Sequence, residues 1–461
     1  MKRLAFVDTE VYKNWSCIDF KVDGQHFTYE HTDANKIDKP KLQWFIQNAT
    51  LVGFNIDGYD EIMILLMFNH ASNQKMYEVS QRIIVQGERP WSIMKSENLP
   101  QNALDSIDIM PVLRGQASLK LYGARIHFHR LQELPIPFDK ETTRADQLAL
   151  MDYCANADVE VTEELYHNVK GEIDLRVNMS EMYGIDLRSK SGANIAETLL
   201  VKMCEKANND TISKPVIGQD IPLEMRYQKP HWINFKTDKF KKILADIEND
   251  VFFLNPHTGH LILGSSVKDR IVYTEDGAGK MGIGGWHQIV CESARFSDGE
   301  YVIRESDFQS LYPNLIVNSQ SYPSHFGPVF FDTYKEILSS RLADKKAGRK
   351  GDSEAKKLIL NSSFGQFSNQ YSKLYSPNLL LNTTLSGQLT LLMLIEQVEM
   401  QGFDIFSANT DSITLMLKRT RIDEYESLCR DFEKQTDLVL EHDDYKYYVT
   451  QNVNSYFAEY E

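Results

Sequence analysis

The sequence of 461 residues lacks several features that would place it in common classes of protein. Its five cysteines are odd in number, scattered and without a CxxC spacing, which disfavours a disulfide framework or a zinc site and favours a reducing compartment. No apolar run approaches the roughly 20 residues of a membrane span. The first residues, MKRLAFVDTEVY, lack the apolar core of a signal peptide. We therefore predict a cytoplasmic protein without a membrane partner.

The sequence also lacks an excess of positive charge. Its 50 lysines and arginines are outnumbered by 65 aspartates and glutamates, which gives a formal net charge of −15. This balance argues against a surface covered with basic residues for binding polyanions. Because net charge does not report where charges lie, it is still compatible with a local basic groove.

Strand and helix patterns alternate up to about residue 170 and predict an α/β domain. RLAFVDTEV predicts its first strand, and the β-branched run QRIIVQ predicts a later strand. In the second half, YVIRESDF and DIFSANTDSITLML predict strands, with a pair of helices interrupted by GRKGD between them. This half therefore has an α+β pattern, and the total length indicates several domains.

Two segments of the second half contain candidate residues for phosphoryl transfer. SDFQSLYPNLIVN places Asp307 at the end of a strand. KLILNSSFG places Lys357, Asn361 and Phe364 at positions i, i+4 and i+7, which share one face of a helix. A lysine beside an aromatic ring can bind a phosphate while the ring stacks on a base. Taken singly, each segment also fits a loop aspartate or an ordinary amphipathic helix.

A third segment, FSANTDSIT, places Asn409 and Asp411 two residues apart, which on a strand means the same face. A pair of carboxylates there would indicate a metal site, but the first position is an amide. A damaged site, a working site that needs only Asp411, and an ordinary turn all fit this segment alone.

In this order, the three segments resemble motifs A, B and C of family B DNA polymerases. DFQSLYP follows the DFxSLYP pattern, and KLILNSSFG follows KxxxNSxYG with Phe364 in place of tyrosine. NTDS stands where the family has DTDS, so Asn409 replaces an aspartate. The resemblance implies an α+β polymerase palm with short helical fingers, and a compact polymerase of phage or mobile-element type.

The resemblance further implies that deoxynucleoside triphosphates are added to the primer strand of a primer–template DNA. Two Mg²⁺ ions roughly 3.5–4 Å apart, for which Mn²⁺ could substitute, would support this chemistry. Asp307 and Asp411 would bridge them, and Tyr312 would exclude a 2′-hydroxyl. The other implied nucleotide-binding residues are Phe308, Leu311, Lys357, Asn361 and Phe364, together with Arg341 and Lys345, which share a helical face.

A second set of acidic residues lies in the first half. It comprises Asp8 and Glu10 in VDTE, Asn55, Tyr59 and Asp60 in FNIDGYD, and Tyr153 and Asp158 in DYCANADVEVT. These segments resemble the three motifs of DEDD-type 3′–5′ exonucleases. The resemblance implies an RNase H-like proofreading domain. Its metal ligands would be Asp8, Glu10, Asp60 and Asp158, which would hold two metal ions, and Tyr153 would orient the attacking water. Asn55 and Tyr59 would contact DNA.

The third exonuclease motif departs from the family pattern. Tyr153 and Asp158 have four residues between them, where the family has three. On a regular helix, one extra residue rotates the tyrosine by about 100°. Either a local bulge restores its aim, or Asp158 is displaced, or hydrolysis is slow.

Two further segments resemble DNA-contacting parts of the family. GIGGWH resembles the glycine-rich segment that joins the two activities in phage-type members, which implies DNA contacts for Gly284, Gly285 and His287. A plain loop is the alternative. QNVNSYFAEYE resembles the primer-gripping KxY segment with Tyr456 retained. No thumb follows it, so truncation, a separate thumb or processivity subunit, and a degenerate enzyme all stay open.

The motifs predict a division into five parts. These are an exonuclease domain at 1–170, a linker and helical connecting region at 171–280, a first palm part with motif A at 281–332, fingers with motif B at 333–370, and a second palm part with motif C at 371–461. A proofreading DNA polymerase is the favoured function. The alternatives are an exonuclease whose polymerase half only binds DNA, and a non-catalytic replication scaffold.

Overall fold

Successive side chains of the first strand, β1 (Arg3–Val11), face opposite sides of a sheet in the computed structural model, which describes residues 2–101 and 103–461. The sheet also contains β2 (Ser16–Val22), β3 (Gln25–His31), β4 (Ala49–Gly53) and β5 (Ser106–Asp108). Its order is β3-β2-β1-β4-β5; β4 runs parallel to β1 and β5, and β2 runs antiparallel to β1 and β3. This mixed sheet belongs to the first of two units, Met1–Gly192 and Ala193–Glu461.

Helices accompany this sheet. They are α1 (Lys39–Asn48), α2 (Asp60–Phe68), α3 (Asn73–Ile84), α4 (Pro90–Ser96), α5 (Leu119–Arg125), α6 (Arg144–Tyr153), α7 (Glu160–Asn168) and α8 (Lys170–Tyr183). A 3₁₀ turn covers Met110–Val112, and a π-helix covers Cys154–Val159 between α6 and α7. Buried residues of β1, β4 and α2, such as Ala5, Leu51 and Ile64, form one core.

The prediction that QRIIVQ forms a strand is wrong, because this run contains the last turn of α3. The hydroxyl of Ser72 accepts a hydrogen bond from the Lys75 backbone at 3.2 Å and begins this helix. Met76 and Val79, three residues apart, are the apolar residues that face the core. The β-branched residues lie at the other end, where Ile84 is 53% exposed, so their strand propensity was overridden by the cap and the helical spacing.

The second unit is built on a larger, nine-stranded sheet. Its strands are β9 (Ile271–Tyr273), β10 (Ala278–Lys280), β11 (His287–Gln288), β12 (Ser293–Phe296), β13 (Tyr301–Phe308), β14 (Asp404–Asn409), β15 (Ser412–Lys418), β16 (Leu440–Asn452) and β17 (Ser455–Tyr460). The order is β12-β16-β13-β15-β14-β11-β10-β9, and β17 pairs with β16. A small sheet consists of β6 (Glu224–Met225), β7 (Phe252–Leu254) and β8 (Leu261–Ile262). The predicted strand YVIRESDF is confirmed as β13.

The helices of this part of the chain include the predicted pair. They are α9 (Gly192–Asn208), α10 (Asp238–Asn249), α11 (Leu311–Asn318), α12 (Pro328–Lys346), α13 (Lys350–Gln366), α14 (Pro377–Met400) and α15 (Ile422–Thr436). The pair is α12 and α13, which contact each other and are separated by three residues. The mixed α/β content is thus confirmed, while the five-part division stays a prediction.

Helix α14 corrects the expectation that no segment resembles a membrane span. Its 24 residues include an 18-residue window with a mean hydropathy of 1.3, long and apolar enough to cross a bilayer. However, 89% of that window is buried inside the protein. Leu385, Leu389 and Leu392 belong to the core of the second unit, so burial in that core accounts for the apolar composition.

Candidate functional site

Strand pairing in the second unit brings Asp307 beside the β14–β15 hairpin. In β13, Asp307 lies opposite Ser412 of β15 on one side and Glu441 of β16 on the other. The next backbone N–H, that of Phe308, donates a hydrogen bond to the carbonyl of Asp411 at 2.9 Å. The carboxylates of motifs A and C therefore meet at the turn of the hairpin.

The hairpin turn changes the expected placement of its two candidate residues. Asn409 ends β14, whereas Asp411 lies in the turn and not on a strand. The turn is made by Thr410, whose φ of 53° is in the left-handed region. The Asn409 amide donates to the Val453 carbonyl and to the side chain of Asn454, each at 3.4 Å, and its oxygen accepts from the Thr410 hydroxyl at 3.1 Å. Asn409 therefore contacts the turn between β16 and β17 through two long hydrogen bonds.

The pKa values of both acids are raised by their surroundings. Burial, and then repulsion from Asp411 and Glu305, raises the pKa of Asp307 to about 7. Burial raises the pKa of Asp411 to about 6, with Glu305 adding to the shift. Neither acid has an ion-pair partner in the part of the chain that the structure describes. A divalent cation with a preference for carboxylate oxygens fits this arrangement.

A cavity of about 710 Å³ opens beside these acids and is large enough for a small-molecule ligand. It gathers the polymerase-type residues that the sequence singled out: Asp307, Phe308, Leu311, Tyr312, Arg341, Lys345, Lys357, Asn361, Phe364 and Asp411. The three candidates on α13 occupy successive turns of that helix, as their spacing predicts. The two cations on α12 are one turn apart.

The basic residues on α12 make contacts across this cavity. The guanidinium of Arg341 donates from Nη1 to the hydroxyl of Ser310, a residue with a left-handed φ of 55°. Its Nε is buried and has no hydrogen-bond partner among the described residues. Lys345 forms an ion pair with Glu441 at 2.5 Å. Because Arg341 also lines the cavity, its guanidinium is placed where an anionic ligand could bind.

An aromatic pair lines another part of the cavity. The rings of Tyr312 and Phe364 stack with centroids 4.3 Å apart and planes 2° from parallel. The Tyr312 hydroxyl donates to the Gly284 carbonyl at 2.7 Å. A Cβ on Gly387 would lie 3.1 Å from the Tyr312 ring, so a larger residue would press on this tyrosine. The ring is therefore held in one position from three sides.

The glycine-rich segment supports the hairpin turn. The carbonyl of Trp286 accepts from the Thr410 N–H at 2.9 Å, and His287 pairs with Asn409 across strands. A Cβ on Gly285 would lie only 2.9 Å from the Thr410 hydroxyl. Close approach of this backbone to the turn is thus one reason for a glycine. DNA contacts from this segment, and from Tyr456, which stacks on Tyr448, stay predictions.

Sequence reasoning missed several residues that line the same cavity. They are Gln309, Ser310, Lys350, Ser353, Glu354 and Glu441. Glu441 lies 134 positions from Asp307 and is brought beside it only by the pairing of β13 with β16. The acidic residues around Glu441 are compatible with a strand but do not show which strand pairs with it. The sequence therefore does not indicate its role.

The first unit contains a separate carboxylate cluster. Asp8 and Glu10 on β1 and Asp158 in the π-helix each offer an oxygen within 4.8 Å of the others. Asp60 begins α2 and accepts from the Thr9 hydroxyl at 2.6 Å. Burial and mutual repulsion place the pKa values of Asp8 and Glu10 well above their usual range. Burial raises that of Asp60 to about 7 and that of Asp158 to about 6. This cluster also suits divalent metal ions.

The π-helix accounts for the unusual spacing of Tyr153 and Asp158. In an α-helix residues i and i+4 meet, whereas the wider π-helical turn brings i and i+5 together. Tyr153 ends α6, and Asp158 lies within the π-helix five residues later. A local bulge, one of the three alternatives that the sequence left open, is therefore present between Tyr153 and Asp158.

The other two residues predicted in the first unit, Asn55 and Tyr59, each form a hydrogen bond outside the carboxylate cluster. Asn55 has a left-handed φ of 62°, and its N–H donates to the carboxylate of Asp108 at 2.9 Å. The Tyr59 hydroxyl is hydrogen-bonded to Ser80 at 2.8 Å. Asp108, at the end of β5, is a further residue that the sequence did not point to, because nothing in a single aspartate identifies its backbone partner.

We predict that deletion of Asn156 preserves the first-unit metal site. Removing one residue should convert the π-helix into α-helix and leave Tyr153 and Asp158 at i and i+4. Mn²⁺ affinity, measured by electron paramagnetic resonance in an Asp307→Asn background, should change by less than about threefold. A matched insertion of one alanine after Asn156 should weaken binding by about tenfold or more, as loss of metal-site geometry does. Equal losses in both variants would contradict the π-helix argument.

We also predict a pH-dependent stability difference at Asp307. Its folded pKa of about 7 exceeds the unfolded value of 3.8, so the folded state holds the proton more tightly and loses stability as pH rises between them. In EDTA, the stability of Asp307→Asn relative to wild type should therefore increase from pH 5 to pH 8, by on the order of 1 kcal/mol because solvent screens this partly exposed carboxylate. Calorimetric unfolding checks this, with exposed-site Asp332→Asn as the control for a lost charge. A difference that does not change with pH would contradict it.

Comparison with known proteins gives matches by sequence and by structure. No protein-family model matches the chain. DNA polymerase II of Escherichia coli (strain K12) is 26% identical over 142 residues, covering 26% of this chain and 18% of that protein. The family B DNA polymerase of the hyperthermophilic archaeon Pyrobaculum calidifontis aligns with a TM-score of 0.51 at 15% identity.

The structural alignment covers 99% of this chain and 59% of the archaeal polymerase. The chain thus spans less than two thirds of the length of either protein. Since the alignment extends over nearly all of the described fold, the chain has the fold of a family B DNA polymerase.

Proposed function

We propose that this chain is a member of family B and catalyses DNA-directed DNA synthesis from a primer 3′ end. One observation carries the proposal: two carboxylates without ion-pair partners among the described residues, Asp307 and Asp411, line a cavity that is also lined by Arg341, Lys345 and Lys357. Nucleotidyl transfer requires acids that bind divalent metal ions and cations that bind phosphates in the same site.

In this proposal each group in the cavity has a defined task. Two Mg²⁺ ions, when bound, would make the primer hydroxyl nucleophilic and neutralise the leaving pyrophosphate. Asp307 and Asp411 would hold these ions, and the backbone carbonyl of Phe308 would add an oxygen. The guanidinium of Arg341, which lines the cavity, would donate to the triphosphate. Tyr312, held by its stack on Phe364, would lie under the sugar and disfavour a 2′-hydroxyl.

Asn409 does not prevent this chemistry in the proposal. Its amide makes two long hydrogen bonds to the turn between β16 and β17 and contributes no charge to the site. Asp307, Asp411, a backbone carbonyl and the triphosphate oxygens together still offer hard ligands to two magnesium ions. The site therefore works with one fewer negative charge than the DTDS pattern supplies.

We propose a second activity, 3′–5′ exonucleolytic proofreading, for the first unit. The cluster of Asp8, Glu10 and Asp158 supports it, together with Tyr153 at the start of the π-helix that contains Asp158. Asp60 would complete the metal ligands, and Tyr153 would orient the attacking water. The raised pKa values of these acids indicate that they are arranged for cations.

A primer-extension assay tests both activities. With Mg²⁺ and deoxynucleotides, the wild type should extend a labelled primer–template, and without nucleotides it should shorten the primer. Asp411→Ala should reduce extension by roughly a thousandfold, because metal-ion stabilisation of a transition state is worth several kcal/mol, and should leave shortening intact. Asp8→Ala should show the reverse.

The alternatives give different outcomes in the same assay. Shortening without extension under any nucleotide supply would favour a nuclease whose second unit only binds DNA. No metal-dependent reaction, together with indifference to Asp307→Ala, would favour a scaffold. Normal extension by Asp411→Ala would contradict the assignment of the metal ligands.

We predict that Asn409→Asp retains primer extension. The hydrogen bonds that the substitution removes are long, 3.4 Å each, so their loss should disturb the turn little. An added carboxylate should tighten Mg²⁺ binding, measured as a lower Mg²⁺ concentration for half-maximal extension. Asn454→Asp, at the other end of one of these hydrogen bonds, is the matched control for charge. Abolished extension in Asn409→Asp alone would contradict a supporting role for this amide.

A further inference from the structure

A single carboxylate holds one of the cavity's cations. Lys345 Nζ lies 2.5 Å from Glu441 Oε1, and the same oxygen accepts from Gln309 Nε2 at 2.6 Å. The side chains of Lys345 and Glu441 are 49% and 44% exposed. The pair therefore borders solvent at the cavity, where an entering ligand can reach it.

The position of this ion pair relates it to both sides of the cavity. Lys345 is on α12, one turn after Arg341, while Glu441 is on β16 directly opposite Asp307. Both residues line the cavity that contains Lys357. A cation well placed for a phosphate is thus neutralised by a carboxylate of the same cavity.

We propose that Glu441 is a placeholder for the nucleotide's phosphates: it holds Lys345 in the cavity until a triphosphate takes its place. On binding, the ammonium group exchanges one anionic partner for another without moving to a different face of α12. This inference rests on the proposed function, since it concerns how the same cavity admits its nucleotide.

The chemistry of the pair favours such an exchange. A half-exposed ion pair contributes little, at most about a fivefold change in a binding constant, so a polyanion displaces it at small cost. Lysine has three donors on a flexible stem and adapts to a new acceptor, unlike the planar fork of arginine. After exchange, Glu441 keeps the hydrogen bond from Gln309 and is not left without a donor. The ion pair thus weakens phosphate binding by a limited amount while keeping the cation in place.

Calorimetric titration of the full chain with inorganic tripolyphosphate, in EDTA, tests the exchange without metal ions or DNA. Glu441→Gln keeps the size of the side chain and removes its charge. It should tighten tripolyphosphate binding by about two- to fivefold, the worth of an exposed ion pair. The same substitution in a Lys345→Ala background should have no effect, because the competing partner is then absent.

Asp443→Asn is the matched control for charge. Asp443 lies two residues farther along β16 on the same face and forms no ion pair among the described residues. Its substitution should change the Kd for tripolyphosphate by much less than Glu441→Gln. Thermal unfolding of each variant confirms that the protein is folded.

Several results would overturn the placeholder role. These are unchanged or weaker tripolyphosphate binding by Glu441→Gln, equal tightening by Asp443→Asn, or the same tightening when Lys345 is alanine. If the wild type extends primers and any of these occurs, only this inference is wrong. If the wild type extends no primer, the proposed function fails, and the calorimetry still decides whether the exchange takes place.

Discussion

Backbone pairing between β13 and the β14–β15 hairpin determines where two carboxylates of the second unit meet. Asp307 lies opposite Ser412, and the Phe308 N–H donates to the Asp411 carbonyl. A shift of one residue in this register would turn Asp307 to the other face of the sheet. The arrangement has an electrostatic cost, visible in the raised pKa values of both acids. The cations across the cavity and the divalent ions of the proposed reaction offset that cost.

The acids of the first unit are held together in a different way. Asp8 and Glu10 come from one strand, but Asp158 comes from a π-helix that restores its approach to Tyr153. A π-helical turn is less favourable than an α-helical one and is found frequently at functional sites. Each unit thus keeps like charges close together, which costs stability in the absence of metal and suits metal binding.

The sequence was sufficient for local features and insufficient for distant ones. Strand β13 and the α12–α13 pair followed from periodicity, and the residues predicted to bind the nucleotide and its metal ions line one cavity. Glu441 could not be found, because the pairing of β13 with β16 depends on contacts between segments far apart in the chain. The strand prediction for QRIIVQ failed because helix capping by Ser72 prevailed over the strand propensity of its β-branched residues. The π-helix was predicted only in part. The spacing of Tyr153 and Asp158 indicated an irregularity in the helix, and the structure shows that it is a π-helix.

The central claim is that Asp307 and Asp411 suffice as side-chain carboxylates for two metal ions although Asn409 replaces an acid. The most direct measurement is electron paramagnetic resonance of Mn²⁺ bound to the complex with primer–template and an incoming nucleotide, in an Asp8→Ala background. The account predicts two spin-coupled Mn²⁺ ions per chain at the polymerase-type cavity, and loss of the coupled pair in Asp307→Asn. A single uncoupled ion, or a coupled pair that persists in Asp307→Asn, would contradict it.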